Sequence, residues 1–135
     1  MNEIENINAV FRELDKLKSP EKINKGLKKA CAIIEKAAKK KAPKGDGALR
    51  RSITSEVKNE IGTVFTPLEY APYVEYGTGL FAEKGGRQDV PWRYQDDKGD
   101  WYSTYGQHPQ PFMRPALQES REEILKAIKE VLARD

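Results

Sequence analysis

The chain has 135 residues, the size of one domain, and a chain near this length buries roughly two thirds of its unfolded surface. Charged residues make up 33% and hydrophobic residues 38% of the sequence, a globular composition with a heavily solvated surface. The net charge of +3 indicates no partner by itself, and one cysteine and one histidine exclude an internal disulfide and a Cys/His zinc cluster. No apolar run approaches membrane-spanning length, so no membrane contact is predicted.

Two helices are predicted before the first glycine-rich loop. Apolar residues recur on one face of residues 1–18, which predicts an amphipathic helix. Ser19 and Pro20 form a helix start signal, with a hydroxyl to cap the free N–H groups and a proline in the first turn. They predict a second helix over residues 19–42, which Pro43 ends.

The outer face of the second predicted helix is rich in lysine. Residues 21–44 contain nine lysines and two glutamates, a net charge of nine less two, or +7. One interpretation is a stripe that contacts nucleic-acid phosphates. The other is a solvated face whose last lysines complement the helix C-terminus, and we favour it because no aromatic or arginine interleaves with the lysines. The lysines are Lys22, Lys25, Lys28, Lys29, Lys36, Lys39, Lys40, Lys41 and Lys44.

The middle of the chain predicts strands. Ile53, Ser55 and Val57 alternate with polar residues, Asn59 can begin a turn, and a β-hairpin over residues 51–66 follows. Strands in the middle and helices at both ends indicate an α+β domain over residues 1–135. Its small antiparallel sheet is expected to pack against the N-terminal and C-terminal helices.

Residues 69–77 predict a short helix. Tyr70, Tyr73, Val74 and Gly77 recur at the spacing of one helical face, and Gly77 can end the helix. Two turns are marginal alone, so the helix must be held by packing. We expect its three tyrosines to provide that packing.

Residues 79–110 form an insertion with a different composition. Half of the twelve aromatic residues of the chain lie here, among glycine, proline and charge. The sequence of residues 92–103 predicts a hairpin around a turn at residues 96–100. A lone hairpin is marginal in water unless something covers its apolar face, and we favour a partner protein because tyrosine and tryptophan dominate interface cores. The candidate interface residues are Trp92, Tyr94, Trp101, Tyr102 and Tyr105.

The last predicted element is a helix over residues 112–134. Its apolar stripe includes Leu117, Ile124, Ile128 and Val131, and its charges balance. Its predicted role is to close the core.

Several short motifs, in this order and spacing, carry a resemblance that covers most of the chain. It resembles the tailed-phage neck protein family, also called minor tail component or tail-completion proteins. The sequence departs from the short form of that family in the insertion of residues 79–110. The motifs are Ala42–Pro43 after a helix, GALRRSI at 47–53, YA at 70–71, VEYGT at 74–78 and QPFMRPAL at 110–117.

The resemblance implies a structural subunit of the head-to-tail connection of a phage or prophage, which acts through ring assembly and protein contacts and not as an enzyme. Expected partners are a head-closure or adaptor protein and a tail terminator or tail-tube protein. The expected location is the virion, after assembly in the host cytoplasm. No cofactor is implied. Structural roles fall on the motif residues Leu49, Arg50, Ser52, Tyr70, Ala71, Glu75, Gly77, Pro111, Phe112 and Pro115.

Glu75 is the acidic residue that calls for an explanation, because it lies among apolar neighbours. A general base would need a second polar group and a pocket, and the sequence offers no such set. No catalytic residue, metal ligand or cofactor site is therefore predicted. We expect Glu75 to be a paired structural carboxylate, with Arg50 or Arg114 as its partner.

Overall fold

The structure is a computed structural model that describes residue 9, residues 19–45 and residues 47–134. Helices and two antiparallel hairpins are both present in this part, so the predicted α+β class is confirmed. Apart from Ala9, the predicted helix of residues 1–18 lies outside the described residues. The elements are α1 (Pro20–Lys41), α2 (Ala48–Ser52), β1 (Thr54–Lys58), β2 (Ile61–Phe65), α3 (Ala71–Tyr76), a 3-10 turn (Gly79–Phe81), β3 (Trp92–Gln95), β4 (Trp101–Thr104), α4 (Met113–Glu119) and α5 (Arg121–Ala133).

Helix α1 is the element against which most others pack, including α4, α5, β1 and β2. Its inner face is made of small buried residues, Ala30, Cys31 and Ala38, which allow these neighbours to approach closely. A second cluster joins Ala30 to Ile128 of α5. The main core cluster consists of Ala38, Ala42, Leu49, Ile53, Ala71, Phe112 and Ala116.

The ends of α1 follow from its flanking residues. The backbone N–H of Lys22 donates to Ser19 Oγ at 3.4 Å, and Pro20 occupies the first turn. The helix ends at Lys41, and Ala42 has a ψ of 137°. Pro43 explains this conformation, because a proline disfavours helical dihedrals in the residue before it.

The first hairpin is shorter than the predicted range of residues 51–66. Thr54 pairs with Phe65 and Lys58 pairs with Ile61, so that two residues with positive φ connect the strands. Residues 51 and 52 belong to α2 instead. The reason is burial: Leu49 and Ile53, four residues apart as on a helix face, both enter the core, and strand alternation begins only at Thr54.

The predicted C-terminal helix of residues 112–134 is divided at Ser120 into α4 and α5. Ser120 is buried, its N–H donates to the Ala116 carbonyl at 3.2 Å, and its carbonyl accepts from Ile124 N–H at 2.9 Å. This break lets both helices pack on α1. Leu117, which the apolar stripe placed in the core, is half exposed.

The expectation that tyrosines hold the short helix is wrong. Tyr70, Tyr73 and Tyr76 are all exposed, and Tyr73 is 61% exposed. The residues of α3 that are buried are Ala71 and Glu75. The helix is therefore held on its opposite side, by a carboxylate and a small apolar residue.

The second sheet is a separate two-stranded hairpin and not part of the first. Trp92 pairs with Thr104 and Gln95 pairs with Trp101, so β3 and β4 are joined by the turn at residues 96–100. This hairpin lies within the insertion. The predicted small sheet against α1 and the predicted hairpin in the insertion are thus both present.

Candidate functional site

Glu75 is a buried carboxylate that joins two distant parts of the sequence. Its side chain, on α3, lies beside the start of α4 and the residue is only 5% exposed. Oε1 accepts hydrogen bonds from the backbone N–H groups of Phe112 at 3.0 Å and Met113 at 2.9 Å, and Oε2 accepts from that of Arg114 at 3.3 Å. The first N–H groups of a helix have no partner within it. Glu75 therefore caps α4 from 37 to 39 positions away.

Arg114 completes this joint with its side chain. Its Nε donates to Glu75 Oε2 at 2.8 Å, and Nη2 donates to the Glu75 carbonyl oxygen at 3.1 Å. The same guanidinium binds both oxygens of Glu83, at 3.0 and 2.9 Å, and lies 4.5 Å from the centre of the Tyr76 ring. Its planar fork thus connects α3, the insertion and α4. We call Glu75, Glu83 and Arg114 the carboxylate joint.

The charges of the carboxylate joint stabilise one another. Burial acts to raise the pKa of Glu75, but the hydrogen bonds from the Arg114 side chain and from the three backbone N–H groups outweigh it and lower the pKa. The hydrogen bond from Arg114 likewise holds the pKa of Glu83 below its ordinary value. The pKa of Arg114 is raised by Glu83 and Glu75. The joint is therefore fully ionised near neutral pH.

This geometry is that of a structural joint. A general base needs a free lone pair aimed at a substrate, whereas the Glu75 oxygens already accept four hydrogen bonds in a buried position. Of the two arginines considered as its partner, Arg114 is the one that contacts it. Arg50 Nε is buried without a hydrogen-bond partner among the described residues. Nowhere in residues 19–45 and 47–134 do three Asp, Glu, His or Cys side chains converge as a metal site would require.

The other motif residues divide between the core and the surface. Gly77 has a φ of 83°, and a Cβ there would lie 2.9 Å from the Gln107 carbonyl oxygen, so only glycine fits. Ser52 Oγ hydrogen-bonds Thr66 Oγ1 at 2.6 Å and so ties α2 to the end of β2. Tyr70 and Pro111 are exposed, and Pro115 is half-buried. The motif residues in the main core are Leu49, Ala71 and Phe112.

The insertion leaves and rejoins the body through a narrow neck. Thr78 N–H donates to the Gln107 carbonyl at 2.9 Å, and Leu80 N–H donates to the Tyr105 carbonyl at 3.0 Å. Between these bonds the backbones of Gly79 and Gly106 touch, and a Cβ on either glycine would collide with the opposite chain. We call Thr78, Gly79, Gly106 and Gln107 the glycine neck. It fixes the base of the insertion to the end of α3.

Beyond the neck, the β3–β4 hairpin presents aromatic rings on both of its faces. Tyr94 and Tyr102 are cross-strand partners whose ring centres are 5.6 Å apart. On the other face Arg93 lies 5.0 Å from the centre of the Trp101 ring. The turn is held by Asp96 Oδ1, which accepts from the N–H groups of residues 98 and 100. The hairpin is thus an ordered element whose side chains, apart from Trp92 at its base, are largely exposed.

Four of the five candidate interface residues are exposed. Trp101 is 57% and Tyr105 is 55% exposed, and Tyr94 and Tyr102 are similarly open. Trp92 differs, since it is half-buried at the base of the hairpin, with Arg87 4.9 Å from its ring centre. Trp92 therefore serves the insertion itself, while the other four rings are available to a partner.

An open groove lies between α3 and the first part of the insertion. It has a volume of about 790 Å³ and its apolar walls include Pro72, Tyr73, Tyr76 and Trp92. Lys84 and Arg87 line it as well. This aromatic groove and the hairpin are two separate apolar surfaces on one chain.

A protein-family model matches residues 7–77, more than half of the chain, and is described as "Bacteriophage HK97-gp10, putative tail-component". The chain belongs to the HK97-gp10-like family of phage tail components. Membership supports a structural role in a phage tail, and hence a place in the virion. The resemblance noted from the motifs is thereby confirmed. No curated protein and no solved structure matches the chain.

The HK97-gp10-like match ends at Gly77, so the insertion and α4 lie beyond it. Within the matched residues are α1, the first hairpin and Glu75, whereas Arg114 and Glu83 come from the remainder. Among the helices of the described part, none combines the length and apolar character of a membrane span.

Sequence reasoning missed Glu83 and the aromatic groove. Glu83 reaches Arg114 because its own N–H donates to the Tyr76 carbonyl at 3.0 Å, which turns the chain back over α3. Neither residue spacing nor composition encodes that turn. A signal did exist for the exposed tyrosines. Glu75, expected to be a paired structural carboxylate, lies on the opposite side of the short helix, and a helix cannot bury both faces in a small core.

Proposed function

We propose that the chain is a ring-forming subunit of the head-to-tail connection in a long-tailed phage, and that it acts through protein contacts without catalysis. Its proposed neighbours are a head-closure or adaptor protein and a tail terminator or tail-tube protein. The observation that carries the proposal is the insertion, which is fixed to the body at its base while four of its aromatic rings are exposed.

The exposed rings supply the kind of surface that assembly needs. Tyrosine and tryptophan are enriched among the residues that contribute most to binding free energy. Trp101, Tyr102 and Tyr105 lie near the tip and side of a hairpin that the turn at Asp96 holds in shape. A typical stable interface buries about 800 Å² per partner, and a projecting hairpin with its groove can provide a large part of that area.

A ring requires two different, complementary surfaces on each subunit. Contacts of this heterologous kind close into a ring when the rotation between subunits allows it. We propose that the hairpin of one subunit occupies the aromatic groove of the next. The charges favour this pairing, because Asp97 and Asp100 at the exposed hairpin turn would meet Lys84 beside the groove.

Mixing two assembly variants tests the pairing. Trp101→Ala with Tyr102→Ala removes the hairpin surface, and Tyr73→Ala with Lys84→Glu removes the groove surface. In light scattering across a range of concentration, each variant alone should be monomeric, and their mixture should form a heterodimer through the one intact pair of surfaces. Ile61→Ala, which truncates an exposed apolar residue on the first hairpin, is the matched control and should assemble like the parent chain.

Two results would contradict these proposals at different levels. Unchanged assembly of both double variants would show that the hairpin and groove are not the contact between subunits, without contradicting the proposed ring. A parent chain that stays monomeric and does not co-purify with the head-closure or tail-tube proteins encoded beside it would remove the head-to-tail role itself.

A further inference from the structure

The outward face of α1 carries a stripe of lysines that form no ion pair with the residues that the structure describes. At about 100° per residue, five lysines fall within an arc of about 60°, and the first and last are about 27 Å apart along the helix axis. Three of them are exposed and two are partly exposed. We call these five residues the lysine stripe; they are Lys22, Lys25, Lys29, Lys36 and Lys40.

No acid neutralises the lysine stripe in the described part of the chain. The lysines of α1 that form ion pairs there are Lys39, with Glu35 at 3.1 Å, and Lys41, with Glu119. Both lie outside the arc. Like charges at i and i+4, such as Lys25 with Lys29 and Lys36 with Lys40, weaken a helix. Lys40 lies in the last turn and complements the helix dipole, but the stability of α1 gives no reason for the other four lysines of the stripe.

Helix α5 shows that a face with a single sign of charge is not a general feature of the helices of this chain. It carries three acidic and three basic residues, so its net charge is zero. Opposite charges stand four apart, as in Glu122 with Lys126 and Lys126 with Glu130, which supports a solvated helix. The two helices pack against each other in one fold, yet only α1 concentrates one sign of charge on its outer face.

The sequence alone favours a solvated face for these lysines. From their lack of ion pairs among the described residues, we infer instead that the lysine stripe binds the phosphate backbone of double-stranded DNA, without reading its sequence. Lysine acts as a point charge on phosphates, and a straight row about 27 Å long spans several phosphates of a duplex, which are spaced about 3.4 Å apart along each strand. A single-stranded ligand would call for stacking aromatic rings, which the arc lacks. A membrane surface would call for an exposed apolar flank, whereas the apolar face of α1 is buried in the core. This inference goes beyond the proposed ring and does not depend on it.

Salt dependence is the measurement that tests DNA binding by the lysine stripe. Fluorescence anisotropy would follow the full chain binding a labelled duplex of about 30 base pairs, which is longer than the stripe. If all five lysines contact phosphates, the logarithm of affinity should fall with the logarithm of salt at a slope of about −4.5. That slope is an about 500-fold loss between about 50 and 200 mM salt.

Charge removal on each helix supplies the variant and its control. Lys25→Gln, Lys36→Gln and Lys40→Gln together should reduce the slope to about −1.8, an about 12-fold loss over the same salt range. Lys126→Gln with Lys129→Gln on α5 should leave the slope at the parental value. Far-ultraviolet circular dichroism checks that α1 stays helical, and light scattering of the same samples reports assembly separately.

Three outcomes would overturn the inference. They are an absence of duplex binding by the parent chain at about 50 mM salt, a slope that the α1 triple variant does not change, and an equal decrease in both variants. Loss of assembly with intact DNA binding would count against the proposed ring and not against DNA binding by the lysine stripe.

Discussion

The carboxylate joint and the β3–β4 hairpin lie close in the chain but differ in residue chemistry and in exposure to solvent. The joint is polar, its central carboxylate Glu75 is buried, and its groups satisfy one another within the chain. The hairpin is aromatic and largely exposed, and its rings contact each other and neighbouring arginines. The difference teaches that residues of one chemical type cannot be assigned to folding or to assembly by type alone. Here a buried carboxylate, Glu75, stabilises the fold, whereas Tyr94, Trp101 and Tyr102 are aromatic and exposed.

The largest loss of stability is expected from removal of the Glu75 carboxylate, and it tests the contrast between the joint and the hairpin most strongly. Glu75→Ala leaves three backbone N–H groups of α4 without their acceptor and takes away one of the two carboxylates of Arg114. We expect the free energy of unfolding to fall by about 3 to 5 kcal/mol, because each buried N–H group left without an acceptor costs about 1 to 3 kcal/mol. Urea unfolding followed by circular dichroism measures it. Glu83→Ala, which removes the exposed partner of the same arginine, should have a clearly smaller effect, and equal losses would contradict the buried role of Glu75.

The glycine neck gives the next largest effect. Gly106→Ala places a methyl group against the Thr78 carbonyl and the Gly79 backbone, at a φ of 120°. Strain of this kind costs about 1 to 3 kcal/mol, which a thermal unfolding midpoint would report. Gly85→Ala is the control, because that glycine also has a positive φ, 75°, but open space around it. Similar shifts of the unfolding midpoint for both variants would mean that the positive φ, and not the close contact between the two backbones, is what requires glycine in the neck.

Acid should weaken the joint through Glu75. Its pKa is lowered in the folded chain, so the unfolded chain binds the proton first as pH falls. The stabilisation by the carboxylate is therefore complete above the ordinary pKa of 4.5 and is lost as pH falls through the lower, folded-state pKa. Each unit by which the folded pKa is lowered corresponds to about 1.4 kcal/mol. Unfolding free energies of the parent and of Glu75→Gln, compared as pH is lowered, should converge; a constant gap would refute this.

The smallest effect on stability is expected at the hairpin. Trp101→Ala should change the free energy of unfolding by no more than about 0.5 kcal/mol, because an exposed ring has few internal contacts to lose. Phe112→Ala, the same kind of truncation at a residue 1% exposed, should cost about 3 to 5 kcal/mol. Assembly should show the reverse order, with Trp101→Ala impaired at concentrations where the protein is folded. Comparable destabilisation by both changes would place Trp101 in the fold of the monomer.

Sequence patterns predicted what local chemistry determines. Ser19 and Pro20 marked the start of α1, and the alternation from Thr54 marked β1, because caps and strand periods act over a few residues. The short helix α2 was missed, since Leu49 and Ile53 reveal a helix only once both are known to be buried. Glu75 could be recognised as a paired carboxylate, but the choice of Arg114 over Arg50 depends on how α4 meets α3. That meeting is a property of the folded chain.

The glycine neck also has a consequence for how this chain can change over time. Thr78 and Gln107 are hydrogen-bonded neighbours, so the stretch between them begins and ends at almost the same point of the body. Lengthening a loop whose ends already meet adds only about 0.6 kcal/mol for each doubling. A phage lineage can therefore extend, trim or exchange this stretch to suit new neighbours in the virion while α1, α4 and α5 keep their packing. The two glycines therefore keep the point of attachment fixed while the residues between them vary.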